Sequence, residues 1–348
     1  MAQIAACTTC IRAIPRFLKM PANTKSKSTS VTAPRDPYFV AHDQPPLSSE
    51  DAELVSLTAC TLEENALASA KSFYAAGEAH RLAGENELAA SNYRKALTLN
   101  RDFVQAHIAL ANMRMPGDFY ETWVERFYTL LAPRSVIEIG VFEGATLSRA
   151  RPPTLAIGID PEPAVLFPLK AETHVFPETS DVFFAHRRPD ALLGGHPLGI
   201  GFIDGLHLYE QALKDFIHLE AYCGPHSVIL LHDTVPLDEA TQSRARDTQF
   251  HTGDVWKTVL CLKQYRQDLD IFTITTPWSG LTVVTGLDPT SSILAECYGE
   301  AVNRFAEVPF SHIESRMDEA LNIVPNDVET VKAHLKARGL TFSSSSRP

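Results

Sequence analysis

Basic residues are in deficit: 31 Lys and Arg stand against 42 Asp and Glu, a formal net charge of −11 at pH 7. Nucleic-acid binders present a basic face, so no nucleic-acid partner is expected. Long apolar runs are missing as well. None approaches the ~18 to 20 residues that a bilayer span requires, so no membrane span is expected. Cysteine is scarce and irregularly spaced, six in 348 residues, which excludes a disulfide framework and fits a reducing, cytoplasmic setting. Cys7 and Cys10 form a lone CxxC. Without a second ligand pair it reads as two thiols in a tail rather than a metal site. Acidic residues are absent from the first 35 positions, which carry Arg12, Arg16, Lys19, Lys25, Lys27 and Arg35 among many Ser and Thr. That composition fits a disordered basic tail, with an organelle transit peptide as the alternative.

What is present is a chain long enough for one large domain and a smaller one. Ser135 to Asp160 is its most informative stretch. A short apolar run, Val136, Ile137 and Ile139, carries Glu138 just before Gly140; Gly144 follows, and a second apolar run ends on Asp160. A strand, a glycine turn opening a helix, and a strand ending on a carboxylate form the first half of a nucleotide-binding α/β sheet. The glycines let backbone approach a ligand closely, and the carboxylate is placed to accept hydrogen bonds from ribose hydroxyls. The third glycine of GxGxxG is lacking, which argues against a pyrophosphate-bearing dinucleotide. An unpaired carboxylate is costly in a buried strand, so Glu138 must be satisfied by a ligand or by nearby amides.

Two later strands end in the same way. Ile200 to Ile203 runs into Asp204, Gly205 and His207, followed by an amphipathic helix with Tyr209, Ala212, Leu213, Phe216 and Ile217 on one face. Ser227 to Leu231 ends on His232, Asp233 and Thr234. Open α/β sheets bind ligands at the carboxyl ends of their strands. The expected fold class is therefore α/β, a Rossmann-like sheet with helices on both faces.

The segments EIGVFEGATL (Glu138 to Leu147), GIDPEP (Gly158 to Pro163), FIDGLHLYEQALKDF (Phe202 to Phe216), LLHDT (Leu230 to Thr234) and GDVWKTV (Gly253 to Val259) resemble those of class I S-adenosylmethionine-dependent methyltransferases. The similarity is to the branch containing catechol O-methyltransferase-like and macrolide-sugar O-methyltransferases. It covers about half the chain and implies that S-adenosylmethionine lies against Glu138, Gly140 and Gly144, with Asp160 on its ribose and Ser180 and Asp181 beside its adenine. It also implies a divalent metal, Mg²⁺ or Mn²⁺, on Asp204 and Asp233, with His232 as a further ligand. Thr234 stands where catechol-type enzymes carry Asn, and an imidazole at position 232 suits Mn²⁺, Fe²⁺ or Zn²⁺ better than Mg²⁺.

His207, with Asp204, is the expected catalytic pair, because an unperturbed imidazole titrates near the pH at which it must take a proton. Tyr209 is placed to shape an acceptor pocket, and residues 236–252 to form a lid. Structural readings stand beside these: Asp204 as a helix cap, His207 as a core histidine, and Asp233 with Thr234 as an Asx-type turn.

The expected organisation is a tail and linker over residues 1–50, a helical region over 51–118, the catalytic domain over 119–289 and a helical extension over 290–348. Phe73, Ala76, Gly77, Gly84, Ala89, Tyr93 and Ala96 make the helical region resemble a tetratricopeptide repeat, although Arg101 replaces the usual proline. One repeat cannot bury its own apolar face, so it is expected to pack on the catalytic domain, a second subunit or a protein partner. Asn326 or Asp327 is the expected cap of the last helix. The expected function is O-methylation of a small hydroxylated acceptor such as a sugar, polyketide or phenolic. The alternatives are an adaptor built on a degenerate methyltransferase scaffold, and an oxidative enzyme with iron on His207, His232 and Asp233.

Overall fold

The computed structural model describes residues 49–340 and 342. The chain divides into two units, residues 1–55 and 56–348. Of the first, only the opening of helix α1 (Ser49–Leu82) falls within the described residues. The basic tail, the Cys7 and Cys10 pair and most of the expected linker lie outside them.

The second unit opens with the remainder of α1, then α2 (Asn86–Leu99), α3 (Val104–Arg114) and α4 (Tyr120–Leu131). Small residues set how α1 and α2 approach: a Cβ on Gly77 would run into the Tyr93 ring, and Ala89 and Ala96 are fully buried. The Tyr93 hydroxyl donates to Glu78 across the same contact.

Eight strands follow: β1 (Ser135–Ile139), β2 (Leu155–Ile159), β3 (Glu172–Phe176), β4 (Leu198–Ile203), β5 (Cys223–His232), β6 (Asp270–Ile274), β7 (Leu281–Thr285) and β8 (Ile323–Val324). They form one sheet in the order β3-β2-β1-β4-β5-β7-β6-β8. The first five run parallel, while β7 is antiparallel to both β5 and β6. The fold is thus α/β and Rossmann-like, as the sequence leads one to expect. Its strand order reverses between β1 and β4, the place where such sheets open a ligand crevice.

Helices cover both faces: α5 (Ser180–His186), α6 (Pro189–Leu192), α7 (Tyr209–Glu220), α8 (Trp256–Tyr265), α9 (Ile293–Ala306), α10 (Ser311–Glu314), α11 (Met317–Ala320) and α12 (Val328–Ala337) join α4. Alternation along each strand divides the core. Ile137, Ile157, Ile203 and Ile229 pack with Phe216 and Trp256 on one side. Val136, Ala156, Phe202 and Val228 pack with Trp123, Phe127 and Leu335 on the other. Strands buried on both faces read as continuous apolar runs, and these do.

Three details differ from the sequence reading. The glycine turn after β1 leads into a single 3₁₀ turn, Leu147–Arg149, and not an α-helix. Pro152 and Pro153 stop helical hydrogen bonding a few residues on, since neither has an N–H to donate. Tyr209 faces the core: it is fully buried and its hydroxyl donates to Ala301 O, so it shapes no pocket. Finally, the C-terminal segment supplies β8, which pairs parallel to β6. There Asp327 caps α12 by accepting from Thr330 N, while Asn326 accepts from Trp123 Nε1 at 2.7 Å.

Arg266 is fully buried, donates to Glu220 at 2.6 Å and grips Asp268 through Nε and Nη2. It joins the end of α8 to α7. Arg266→Ala leaves Glu220 as a buried charge without a counterion, so a loss of about 3–5 kcal/mol in denaturant unfolding is expected.

Candidate functional site

The strand ends are held level by register. Ile139 pairs with both Ile159 and Ile203, and Ile203 pairs with Leu231. The residues that follow, Gly140, Asp160, Asp204 and His232, therefore emerge along one edge of the sheet. Gly140 has φ +89°, and a Cβ there would overlap the backbone carbonyl of Asp204. A glycine is required at this position by a chain crossing, whatever ligand the turn serves. Gly144 also has a positive φ and faces the Val165 side chain.

Glu138 lies fully buried within β1. Its Oε1 accepts from the Thr146 hydroxyl at 2.7 Å, and its Oε2 has no partner. Burial pushes its pKa up to about 8, only partly opposed by the Thr146 hydrogen bond. The carboxyl is thus neutral at pH 7 in the free protein, with an unsatisfied oxygen beside the glycine turn. Asp160 is deployed differently. Its Oδ2 accepts from Val141 N at 2.9 Å and Phe142 N at 2.8 Å, and its Oδ1 accepts from Glu162 N at 2.8 Å. The carboxylate ties the end of β2 to the turn, and one lone pair on Oδ1 is left for a further donor.

At the ends of β4 and β5, four titratable side chains converge. Asp204 Oδ1 lies 3.0 Å from His232 Nδ1 and 3.9 Å from His207 Nε2. Asp233 Oδ2 lies 3.0 Å from His207 Nε2. Asp233 is 6% exposed at a φ of +57°, an uncommon conformation for a residue with a Cβ and one that concentrates at functional sites. Burial alone would lower the His232 pKa, but the Asp233 and Asp204 carboxylates overcome it and hold the pKa at about 9. Asp204, His232 and Asp233 each offer one ligand atom, all within 4.8 Å of one another. Two oxygens and one imidazole nitrogen suit a first-row transition ion better than Mg²⁺.

The segment after β5 forms the wall behind His207. His207 Nδ1 lies 3.2 Å from His251 O, and the two rings stack at 5.6 Å with planes 2° apart. A Cβ on Gly253, which has φ +59°, would overlap His207 O. Asp254, fully buried, accepts from Tyr209 N at 2.8 Å and pairs with Arg244 and Lys257. Residues 236–252, expected as a lid, are tied to the start of α7 through Arg244, which donates to Glu210 and to Asp254.

Among the residues expected from the sequence, the structure brings Asp204, His207, His232 and Asp233 together, with Glu138, Gly140 and Asp160 on the neighbouring strand ends. Ser180 and Asp181 stand at the start of α5, where Gln211 Nε2 reaches both at 3.2 Å and Lys214 pairs with Asp181 at 2.7 Å. Thr234 is fully buried and accepts from Thr282 Oγ1, so it turns away from the cluster. Two participants were not visible in the sequence. The Tyr120 ring packs on His232 with centroids 3.9 Å apart and planes tilted by 32°, and Ser279 Oγ lies 3.3 Å from His232 Nε2. Both come from distant segments, and only their polar or aromatic character beside small or apolar neighbours could have hinted at them.

Residues 137–234 match a family model described as a methyltransferase domain. The match spans under a third of the chain, from β1 to the end of β5, and contains every expected site residue. No match is found among curated proteins. Among solved structures, the O-methyltransferase TomG from Streptomyces achromogenes, involved in tomaymycin synthesis and in complex with SAM, is 18% identical over 51% of this chain and 88% of its own, with a TM-score of 0.37. An O-methyltransferase from Bacillus cereus in complex with SAH is 11% identical over 52% of this chain and 88% of its own, with a TM-score of 0.35. A putative O-methyltransferase from Klebsiella pneumoniae is 14% identical over 53% and 90%, with a TM-score of 0.36.

The raised Glu138 pKa has a stability consequence. A group whose pKa is higher when folded stabilises the protein below its unfolded pKa, near 4.5, and that contribution is lost as pH rises through about 8. Thermal melts of ligand-free protein between pH 6 and 9 should therefore show a downward drift in Tm that is shallower in Glu138→Gln. An identical drift in the two proteins would remove Glu138 as its source.

Proposed function

We propose that this chain is a class I S-adenosylmethionine-dependent O-methyltransferase acting on a small hydroxylated acceptor such as a sugar, polyketide or phenolic. The observation that carries the reading is the Asp204, His207, His232 and Asp233 cluster at the strand ends, next to a buried carboxyl with an unsatisfied oxygen. The methyltransferase-domain match over the same residues supports it.

In this reading the cofactor's sulfonium supplies an activated methyl group, and a divalent ion lowers the pKa of an acceptor hydroxyl. The residues fit both. Glu138 Oε2 lacks a partner in the free protein, and a cationic ligand alongside it would favour the ionised carboxylate. Gly140 and Gly144 keep the turn free of Cβ atoms, and Asp160 Oδ1 retains a lone pair for a ribose hydroxyl. Asp204, His232 and Asp233 would hold the ion, preferably Mn²⁺ or a similar transition metal given the imidazole. Ser180 and Asp181 would border the adenine from the start of α5.

His207 is the general base. Its Nδ1 faces the His251 carbonyl, which can only accept, so Nδ1 donates there, and Nε2, facing the Asp233 carboxylate, is the nitrogen that exchanges the transferred proton. A proton gained at Nε2 is then held by Asp233 Oδ2, 3.0 Å away. The chain's remaining task is alignment of nucleophile and methyl group. The α1 to α3 region, with its tetratricopeptide-like sequence pattern, would serve as a cap or as a contact for a second subunit or a protein partner.

Calorimetric titration with S-adenosylmethionine, with and without Mn²⁺ or Mg²⁺, tests the cofactor. Binding that weakens by roughly tenfold or more in Glu138→Gln and Asp160→Ala is expected, and absence of binding under every metal condition would return the chain to the adaptor reading. His207→Ala should leave cofactor affinity intact and lower kcat by roughly 10²-fold or more, the usual worth of a positioned base. Equal loss of both would make His207 a structural histidine.

A further inference from the structure

One side of His207 is held by a short stretch of chain, 251–253, to which methyl transfer itself gives no role. His251 meets His207 twice. Its backbone carbonyl lies 3.2 Å from His207 Nδ1, and the two imidazole rings are parallel within 2°, with centroids 5.6 Å apart. Offset parallel packing at this separation is a favoured arrangement of flat rings. Gly253 adds a third contact, its backbone so near His207 O that a Cβ has no room.

The stretch is itself fixed. Thr252 N and Gly253 N both donate to Thr241 O, at 2.9 and 3.3 Å, and Thr241 and Thr252 are buried. The His251 ring is anchored at its outer nitrogen, where Nε2 lies 2.7 Å from Ser243 O. A carbonyl can only accept, so Nε2 carries the proton and Nδ1 is a bare acceptor. Arg244, the next residue after Ser243, is clamped by Glu210 at 2.6 Å and Asp254 at 2.7 Å, which keeps the Ser243 carbonyl in place. Burial lowers the His251 pKa, so the ring is neutral at pH 7 and does not repel a protonated His207.

The remaining nitrogen shows what sets this ring's orientation. His251 Nδ1 is buried and has no partner. An unmatched buried acceptor costs about 1–3 kcal/mol. The ring is therefore oriented by the Ser243 anchor and the face of His207, and not by satisfying both of its nitrogens.

We propose that His251 is a positioning residue for His207: its ring, pinned on Ser243, fixes the plane of the His207 imidazole. A histidine side chain turns about two bonds, and here both nitrogens must be aimed at once. Nδ1 must stay on the His251 carbonyl while Nε2 stays on Asp233 Oδ2, 3.0 Å away. Carbonyl oxygens accept over a broad range of directions, so the hydrogen bond alone leaves the ring free to tilt. A parallel ring on a rigid support removes that freedom, and small errors in the placing of a base are expensive in rate. The role of His207 as base rests on the methyltransferase reading; its positioning by His251 does not.

The experiment compares the full chain with three variants. His251→Ala removes the ring, His251→Gln keeps a donor for Ser243 O without a ring, and His251→Phe keeps a ring without the donor. The first readout is the His207 Nδ1–H proton in NMR spectra, assigned by its absence from His207→Gln. Its exchange with water should quicken roughly tenfold or more in His251→Ala and His251→Gln, and stay within about threefold of wild type in His251→Phe. The second readout is turnover with S-adenosylmethionine and catechol or methyl glucoside as acceptor probe. There kcat should fall roughly tenfold in His251→Ala and His251→Gln, with KM and cofactor affinity within about twofold, and His251→Phe should recover most of the loss. A Nδ1–H that is unprotected in wild type, unchanged exchange in His251→Ala, or recovery in His251→Gln but not in a folded His251→Phe would each overturn the proposal. If thermal melts show His251→Phe unfolded, the comparison of His251→Gln with His251→Ala decides. Wild-type protein that methylates neither probe would count against the methyltransferase reading, and the exchange measurement would still decide whether His251 positions His207.

Discussion

The arrangement rests on one close approach: the turn after β1 crosses the end of β4 with no room for a side chain at position 140. Gly140 meets the backbone of Asp204 there. Because β1 and β4 are the neighbours between which the strand order reverses, that crossing places the glycine turn against the start of the Asp204 to His207 segment. Glu138, two residues before the crossing, and Asp204, at it, are brought to adjacent strand ends. Parallel register then carries His232 and Asp233 to the same level. The site is thus a product of sheet geometry before it is a product of any particular side chain.

The electrostatics follow from that placement. Strand ends of a sheet covered on both faces are poorly solvated, so charges there are costly unless matched. The protein resolves this in two ways. At the β4 and β5 ends the carboxylates of Asp204 and Asp233 flank His232 and keep it cationic. At Glu138 no cation is nearby, so burial favours the neutral acid and leaves one oxygen unmatched. The first arrangement balances its own charges in the free protein; the second leaves an oxygen unmatched.

Segments remote in sequence complete the walls. Asn326, from the C-terminal segment, receives the Trp123 indole N–H and itself donates to Asp118 O and Thr275 O. It holds α4, and hence Tyr120, in place over His232. The 236–252 segment is anchored through Arg244, which grips both Glu210 and Asp254. A stretch that reads as a polar loop is for this reason part of the scaffold around His207.

Periodicity and turn chemistry determined a good deal of this protein. Apolar runs ending in polar residues specified the parallel strands and their order along the chain, and the spacing of Ala212, Leu213 and Phe216 specified the buried face of α7. The same signals singled out Glu138, Asp204, His207, His232 and Asp233, because an acidic or imidazole group at the end of an apolar strand is conspicuous in one dimension. What the tertiary structure decided was direction and partner. Tyr209 and Asp160 have the chemistry of site residues, yet the first turns into the core and the second is spent largely on backbone amides. Tyr120, Ser279 and β8 enter only through long-range packing, which no local pattern encodes. A sequence records which groups lie at a strand end; which neighbours then compete for their hydrogen bonds is settled by contacts between segments a hundred or more residues apart, as between Trp123 and Asn326.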